Sequence, residues 1–238
     1  MKKQCILLTA CLFSFVISFA QSAKSETKKT PFQIGILGGV GFPVGLFGST
    51  NSTKYQDAGF AKPGLSLNLN GAYHFTDAFG ITASAIYSRF NIDNDAANRI
   101  FNGATEIGEV SIDHWQYWGL MVGPMGTIKL NEDLFLDLKL IAGYASANAP
   151  TLKFQIEEIP DLSINTTDKW KDAFVFQVGT DLRFNVDKNL FIMANVDYNF
   201  MKPKWKYVLA NNGNGATNFT IDQQMGVLDV NFGVGLNF

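Results

Sequence analysis

Beyond position 11 the chain has no cysteine, since its two, Cys5 and Cys11, both lie close to the amino terminus. A mature chain that starts past them needs no disulfide and offers no thiolate for metal or nucleophile chemistry. Histidine is just as scarce, with His74 and His114 the two in the sequence. No phosphate-cradling glycine loop, metal-spaced cluster or dinucleotide fingerprint occurs. A cationic excess is missing as well: 19 Lys and Arg stand against 21 Asp and Glu, a formal net charge of −2, which argues against nucleic acid as a partner. After Ala20 no apolar run is long enough for a spanning helix. Helical periodicity is also absent. Yet 47% of the residues are hydrophobic, so the apolar side chains must be arranged in some other way.

At the amino terminus, Lys2 and Lys3 precede an apolar stretch from Cys5 to Phe19. Ser18-Phe19-Ala20 then supplies small residues at −3 and −1 of a cleavage site before Gln21. The stretch is shorter than the roughly 20 residues of a spanning helix, and a polar run from Gln21 to Thr30 follows it. The expected organisation is a cleaved export signal over 1–20, a polar segment over 21–31 and one domain over 32–238. Leu8-Thr9-Ala10-Cys11 offers a competing reading as a lipoprotein cleavage box. Against it, the apolar run continues past Cys11 instead of ending there. Cleavage after Ala20 removes Lys2 and Lys3 and no acid, leaving 17 basic against 21 acidic residues, a net charge of −4.

The apolar residues of the remainder alternate. Leu134, Leu136, Leu138, Leu140, Ala142 and Tyr144 share one face, with Asp137 and Lys139 on the other. Phe174, Phe176, Val178, Leu182 and Phe184 oppose Gln177, Asp181 and Arg183. Leu190, Ile192, Val196, Tyr198 and Phe200 oppose Asn195, Asp197 and Asn199. Leu228, Val230, Phe232, Val234, Leu236 and Phe238 oppose Asp229, Asn231 and Asn237. Period-two runs of this length match tilted membrane-spanning strands. Further strands are predicted near 32–42, 64–75, 79–90 and 113–130. Pro124 interrupts the last of these, and a bulge at Gly123-Pro124 is expected there, with the faces swapped on one side of it.

Short connections at 76–78, 131–133 and 185–188 alternate with long polar ones near 43–63, 91–112, 146–172 and 202–221. Three turns and four loops make eight strands, an even number that lets the sheet close. The chain ends Asn231-Phe232-Gly233-Val234-Gly235-Leu236-Asn237-Phe238. Asn231, Gly233, Leu236 and Phe238 match the carboxy-terminal signal by which outer-membrane barrels are recognised for assembly. With the export signal and the alternating strands, the chain from about Phe32 to Phe238 resembles the OmpA/OmpX-like superfamily of small outer-membrane barrels. The resemblance implies an all-β, eight-stranded antiparallel transmembrane barrel with periplasmic turns and extracellular loops. It also implies a monomer in the outer membrane that meets lipid, lipopolysaccharide and the barrel assembly machinery. A soluble lipocalin-like barrel is the competing fold, with apolar residues inside. Strand length, the terminal Phe238 and the clustering of charges on one face weigh against it.

Because one fold hosts many functions, the sites must be read separately. Lys129, Asp137, Lys139, Asp181, Arg183 and Asp197 form an expected charge cluster in the lumen, where both signs pair within a packed polar core. Glycines at 35, 39, 41, 179, 233 and 235 keep a narrow ion path in consideration. No cofactor or metal is expected. His74 falls at the turn end, and His114 lies near Glu109, Ser111 and Asp113 without the spacing of a His–Ser acyl-transfer pair. Aromatics mark both rims. Among them, Lys169-Trp170-Lys171 and Lys204-Trp205-Lys206 stand 17 and 18 residues from Asp187 at their tryptophans, so a hairpin would set them opposite each other. Together they form a candidate lipopolysaccharide contact. The sequence favours a non-enzymatic barrel presenting loops for envelope integrity or surface interaction. A small channel or hydrophobic-solute conduit, and then a lipid-modifying enzyme, are the alternatives.

Overall fold

Period-two patterning makes each long segment a strand with one apolar and one polar face. The computed structural model describes residues 32–51, 58–96, 99, 111–150, 152–153, 163–166, 169–211 and 215–238. In chain order the strands are β1 (Phe32–Val44), β2 (Gly64–His74), β3 (Phe79–Phe90), β4 (Ser111–Ile112), β5 (Trp115–Lys129), β6 (Leu134–Asn148) and β7 (Leu152–Lys153). They continue as β8 (Ser163–Thr166), β9 (Trp170–Asn185), β10 (Leu190–Met201), β11 (Lys204–Asn211), β12 (Gly215–Asp222) and β13 (Met225–Asn237). Eight of them close into an antiparallel barrel in the order β1-β13-β10-β9-β6-β5-β3-β2. The amino-terminal export signal, the 21–31 segment and Glu109 lie outside the described residues.

Facing is uniform around the wall. On β6, Leu138 and Leu140 point outward at 48% and 61% exposure, while Asp137 and Lys139 between them point inward at 3% each. Val178 and Leu182 face outward on β9, as do Ile192 and Val196 on β10 and Val234 and Leu236 on β13. This polarity is the reverse of a lipocalin-like barrel, and it suits a solvent of hydrocarbon. Closure is completed by β1 and β13, paired from Gln33↔Asn237 to Val44↔Gly226. Phe238 N–H donates to the Phe32 carbonyl at 2.8 Å, and their rings sit 6.0 Å apart. No barrel strand is left with an open edge.

The tight turns are made by short polar side chains. Asn131 Oδ1 accepts from the backbone N–H groups of Asp133 and Leu134 at 3.0 and 2.8 Å, an Asx-type turn between β5 and β6. At the other end the chain builds more structure than the pattern suggested. β11 and β12 form a hairpin joined by β8 in a separate three-stranded sheet, and β4 pairs with β7. These strands fall in segments expected to be loops.

Pro124 corrects a second expectation. It faces outward and pairs with Ile81 in an unbroken ladder from Phe79↔Gly126 to Phe90↔Trp115. Toward β6 the pairing stops at Val122↔Ala142 and resumes at Met125↔Lys139 in the same register. No residue is inserted and the faces do not swap: Met121 and Met125 are both buried inside. The missing N–H therefore costs a local gap on one side of the strand, not a bulge.

Candidate functional site

The lumen has two storeys. In the turn-side storey, inward residues stand in rows across neighbouring strands. One row runs Asp137, Asp181, Asn195, Asn231 and Gly39; the next toward the loops runs Lys139, Gly179, Asp197, Asp229 and Gly41. Asp137 and Asp181 are direct cross-strand partners of like charge, so each takes its cation diagonally. Arg183 Nε meets Asp137 Oδ2 at 3.1 Å, and Lys139 Nζ meets Asp181 Oδ1 at 2.8 Å. Lys139 also reaches Asp197 Oδ1 at 3.0 Å. Thr127 Oγ1 donates to Asp137 at 2.6 Å, and Asn195 Nδ2 donates to Asp197 at 3.0 Å. The Arg183 guanidinium lies 4.7 Å from the Phe135 ring centroid and 5.8 Å from that of Phe191.

The inward glycines of the barrel leave space that neighbours fill. A Cβ at Gly179 would collide with Asp197 Oδ1, the oxygen that Lys139 grips. One at Gly235 would strike the Phe191 ring, and one at Gly233 would sit 2.7 Å from Leu37 Cγ. Below the ion pairs, a 20 Å3 cavity borders Asp137, Asp181 and Arg183. It adjoins a vestibule of about 410 Å3 at the turn end, lined by Gln33, His74, Asp77, Arg183, Lys188 and Asn237, among others. There His74 Nε2 and Gln33 Oε1 are 3.1 Å apart.

The loop-side storey is mostly apolar, with Ser88, Gln177 and Asn199 as buried polar members of its rows. Ile86, Phe90, Trp115, Tyr117, Met121, Ile141, Val175, Met201, Met225 and Val227 point inward and are buried. Phe47 inserts from the turn after β1 and is fully buried, its ring 5.4 Å from Phe90 and 5.7 Å from Trp115. Trp115 packs on Trp205 at 5.5 Å. The indole N–H groups are satisfied at the margin: Trp115 donates to the Gly59 carbonyl at 2.9 Å and Trp205 to that of Lys169 at 3.1 Å. The result is a hydrophobic stopper across the mouth of the barrel, with loop segments bonded to it.

This placement corrects the expectation for one tryptophan. Trp170 faces outward and is 42% exposed, as a belt residue should be, but Trp205 is fully buried in the stopper. Outward residues of β10 stand at even positions, from Leu190 to Phe200, and buried ones at odd positions through Met201, so Trp205 keeps the inward parity of β10 past Pro203. The two triplets still meet through the Trp205–Lys169 hydrogen bond. Lys204 Nζ lies 3.1 Å and Lys202 Nζ 3.5 Å from Asp222 Oδ2, and Lys171 and Lys206 have contacts of their own. Lysine pairing holds the Asp222 carboxyl below its usual range.

Lys129 is the second correction. Its position has inward parity, but it sits at the turn-side rim, exposed, and takes no part in the ion pairs of the cluster. At the carboxy terminus, Asn231 points inward fully buried, Gly233 abuts Leu37, and Leu236 and Phe238 face outward. At the loop end, the His114 ring contacts the Asp113 carboxylate, and Arg89 Nη2 is 3.3 Å from His114 Nδ1. The backbone N–H of His114, and then its ring, keep the Asp113 carboxyl below its usual range.

The sequence matches no family profile and no curated relative. Solved structures match in fold. A major outer membrane protein from Thermus thermophilus aligns with a TM-score of 0.55 and 9% identity, over 87% of this chain and 99% of that one. Neisserial surface protein A aligns at 0.48 with 12% identity over 89% and 100%. Ail, the attachment invasion locus protein of Yersinia pestis, aligns at 0.40 with 16% identity over 87% and 98%. Identities this low carry the fold alone, the closed eight-stranded barrel of outer-membrane proteins.

Two substitutions weigh the ion network. Lys139→Met leaves Asp181 and Asp197 buried without their cation and should cost about 3–5 kcal/mol. Gly179→Ala drives a methyl group into Asp197 and should cost about 1–3 kcal/mol. Lys129→Met at the exposed rim should change little. Urea unfolding of the refolded protein in lipid vesicles reads all three.

Proposed function

We propose that the chain is an integral outer-membrane barrel, sent there by its amino-terminal export signal, with periplasmic turns and extracellular loops. Its role is non-enzymatic: a stoppered barrel that anchors loop structure at the cell surface for envelope integrity or surface interaction. The observation that carries this reading is the apolar layer of Phe47, Phe90, Trp115, Trp205 and Met201 across the loop-side lumen. A hydrated path would have to cross it, and the ion pairs narrow the bore below it. The outward ring of Phe238, next to Phe32, suits a handle for the barrel assembly machinery. Refolded into planar bilayers, the protein should give no stepwise conductance. Sustained single-channel openings would move the reading to the conduit.

The basic rim favours a lipid partner on the outside. Lys169, Lys171, Lys204 and Lys206 flank Trp170 and Trp205, and the Trp205–Lys169 hydrogen bond joins the two segments, with Trp170 outward at the boundary. Each lysine near phosphate-bearing lipopolysaccharide would contribute about 1 kcal/mol, by analogy with basic residues at anionic leaflets. Replacing the four lysines by glutamine should abolish thermal stabilisation by added lipopolysaccharide while leaving the stopper intact. Undiminished stabilisation would reduce the rim to an ordinary aromatic belt.

A further inference from the structure

The buried ionisable groups of the lumen do not balance. Among the described residues, Asp137, Asp181, Asp197 and Asp229 are four buried acids, against the two buried cations Lys139 and Arg183. Arg183 is committed to Asp137, and Lys139 to Asp181 and Asp197. Asp229, 2% exposed, has neutral donors instead: Asn199 Nδ2 at 2.6 Å on its Oδ2, and the Ser66 hydroxyl. It stands directly across from Asp197, a like charge. An uncompensated carboxylate in such a place is expensive.

Around it lies an unusual set of oxygens. Asn231 is fully buried, and neither its Oδ1 nor its Nδ2 has a hydrogen-bond partner; the Oδ1 atoms of Asn199 and Asn195 are likewise unpartnered. Asn231 is paired with Gly39 and Asp229 with Gly41, and both side chains turn an oxygen toward these glycines. A Cβ at Gly39 would sit 2.7 Å from Asn231 Oδ1, and one at Gly41 the same distance from Asp229 Oδ1. The Cβ-free positions Gly39 and Gly41, neighbours on the inward face of β1, thus give room to one amide and one carboxylate oxygen, with the Phe90 ring 2.9 Å from a Cβ placed at Gly41.

We propose that Asp229, Asn231 and Asn199 hold a monovalent cation of the sodium class inside the lumen. Hard cations take carboxylate and amide oxygens, and a single uncommitted carboxylate among neutral oxygens suits one positive charge better than two. The stopper closes the loop side, so the ion enters from the turn side, past Arg183 and the buried Leu37, Phe191 and Met193. The barrel is then a blind, cation-loaded pocket and not a pore.

The test is thermal unfolding of the full refolded chain at fixed pH and ionic strength, titrating sodium chloride against N-methyl-D-glucamine chloride. Binding to the folded state alone makes the midpoint climb with sodium and continue to rise with its logarithm above the dissociation constant. The wild type should show this climb. Asp229→Asn, which keeps the shape, should lose it, and Asn231→Ala should shift it to higher sodium. An equal response in Asp229→Asn would overturn the site, as would no difference between the two salts in the wild type. If stability follows pH alone and ignores sodium, Asp229 is neutralised by a proton and the proposal fails. Should Asp229→Asn not refold, Asn231→Ala carries the comparison, and an unshifted sodium response in it overturns the proposal.

Discussion

In hydrocarbon no water satisfies a backbone N–H or C=O, and each one left unpaired costs several kcal/mol. A sheet can meet that demand by closing on itself, and the rest of this molecule follows from closure. The β1–β13 seam turns an eight-stranded ribbon into a barrel. Closure fixes which side chains point inward, and a bore of eight strands is just wide enough for them to fill. Polar residues that cannot face lipid must therefore satisfy one another inside. The diagonal pairing of Arg183 with Asp137 and of Lys139 with Asp181 is that requirement met at atomic scale.

The same constraint explains the two storeys. Near the turns, charges and amides face each other across strands, and glycines such as Gly179 and Gly41 are the gaps that let Asp197 and Asp229 occupy the bore. Near the loops, the inward positions become apolar and Phe47 comes in from the chain after β1 to finish the layer. Loop segments are then bonded to the barrel through the Trp115 and Trp205 indoles. A mouth filled this way supports structured loops, which the extra strands β8, β11 and β12 provide.

Strand positions were legible in the sequence because the period is two and the runs are long; β3 spans Phe79–Phe90 in both readings. Lumen placement of Asp137, Lys139, Asp181 and Arg183 followed from the same parity. What escaped was depth. Ile141, Val175, Met201 and Val227 share the polar face of their strands, yet each stands at its loop-side part, and that change of character along one face was the trace of the stopper. Trp205 escaped because its odd position, which continues the inward face of Asn199 and Met201, was passed over in favour of its tryptophan's usual place in a belt. Pro124 was overread, since a proline can be carried by a gap in one ladder while the other runs on.

The central claim is an inside-out barrel whose wall faces lipid and whose bore is packed. Single-cysteine spin labels placed in turn from 175 to 184 on β9, in the refolded protein in bilayers, test it directly. Accessibility to oxygen dissolved in the lipid should alternate with period two, high at 176, 178, 182 and 184 and low at 175, 177, 181 and 183, with little access for an aqueous nickel reagent at either set. An inverted alternation, or nickel access throughout the inward set, would contradict it.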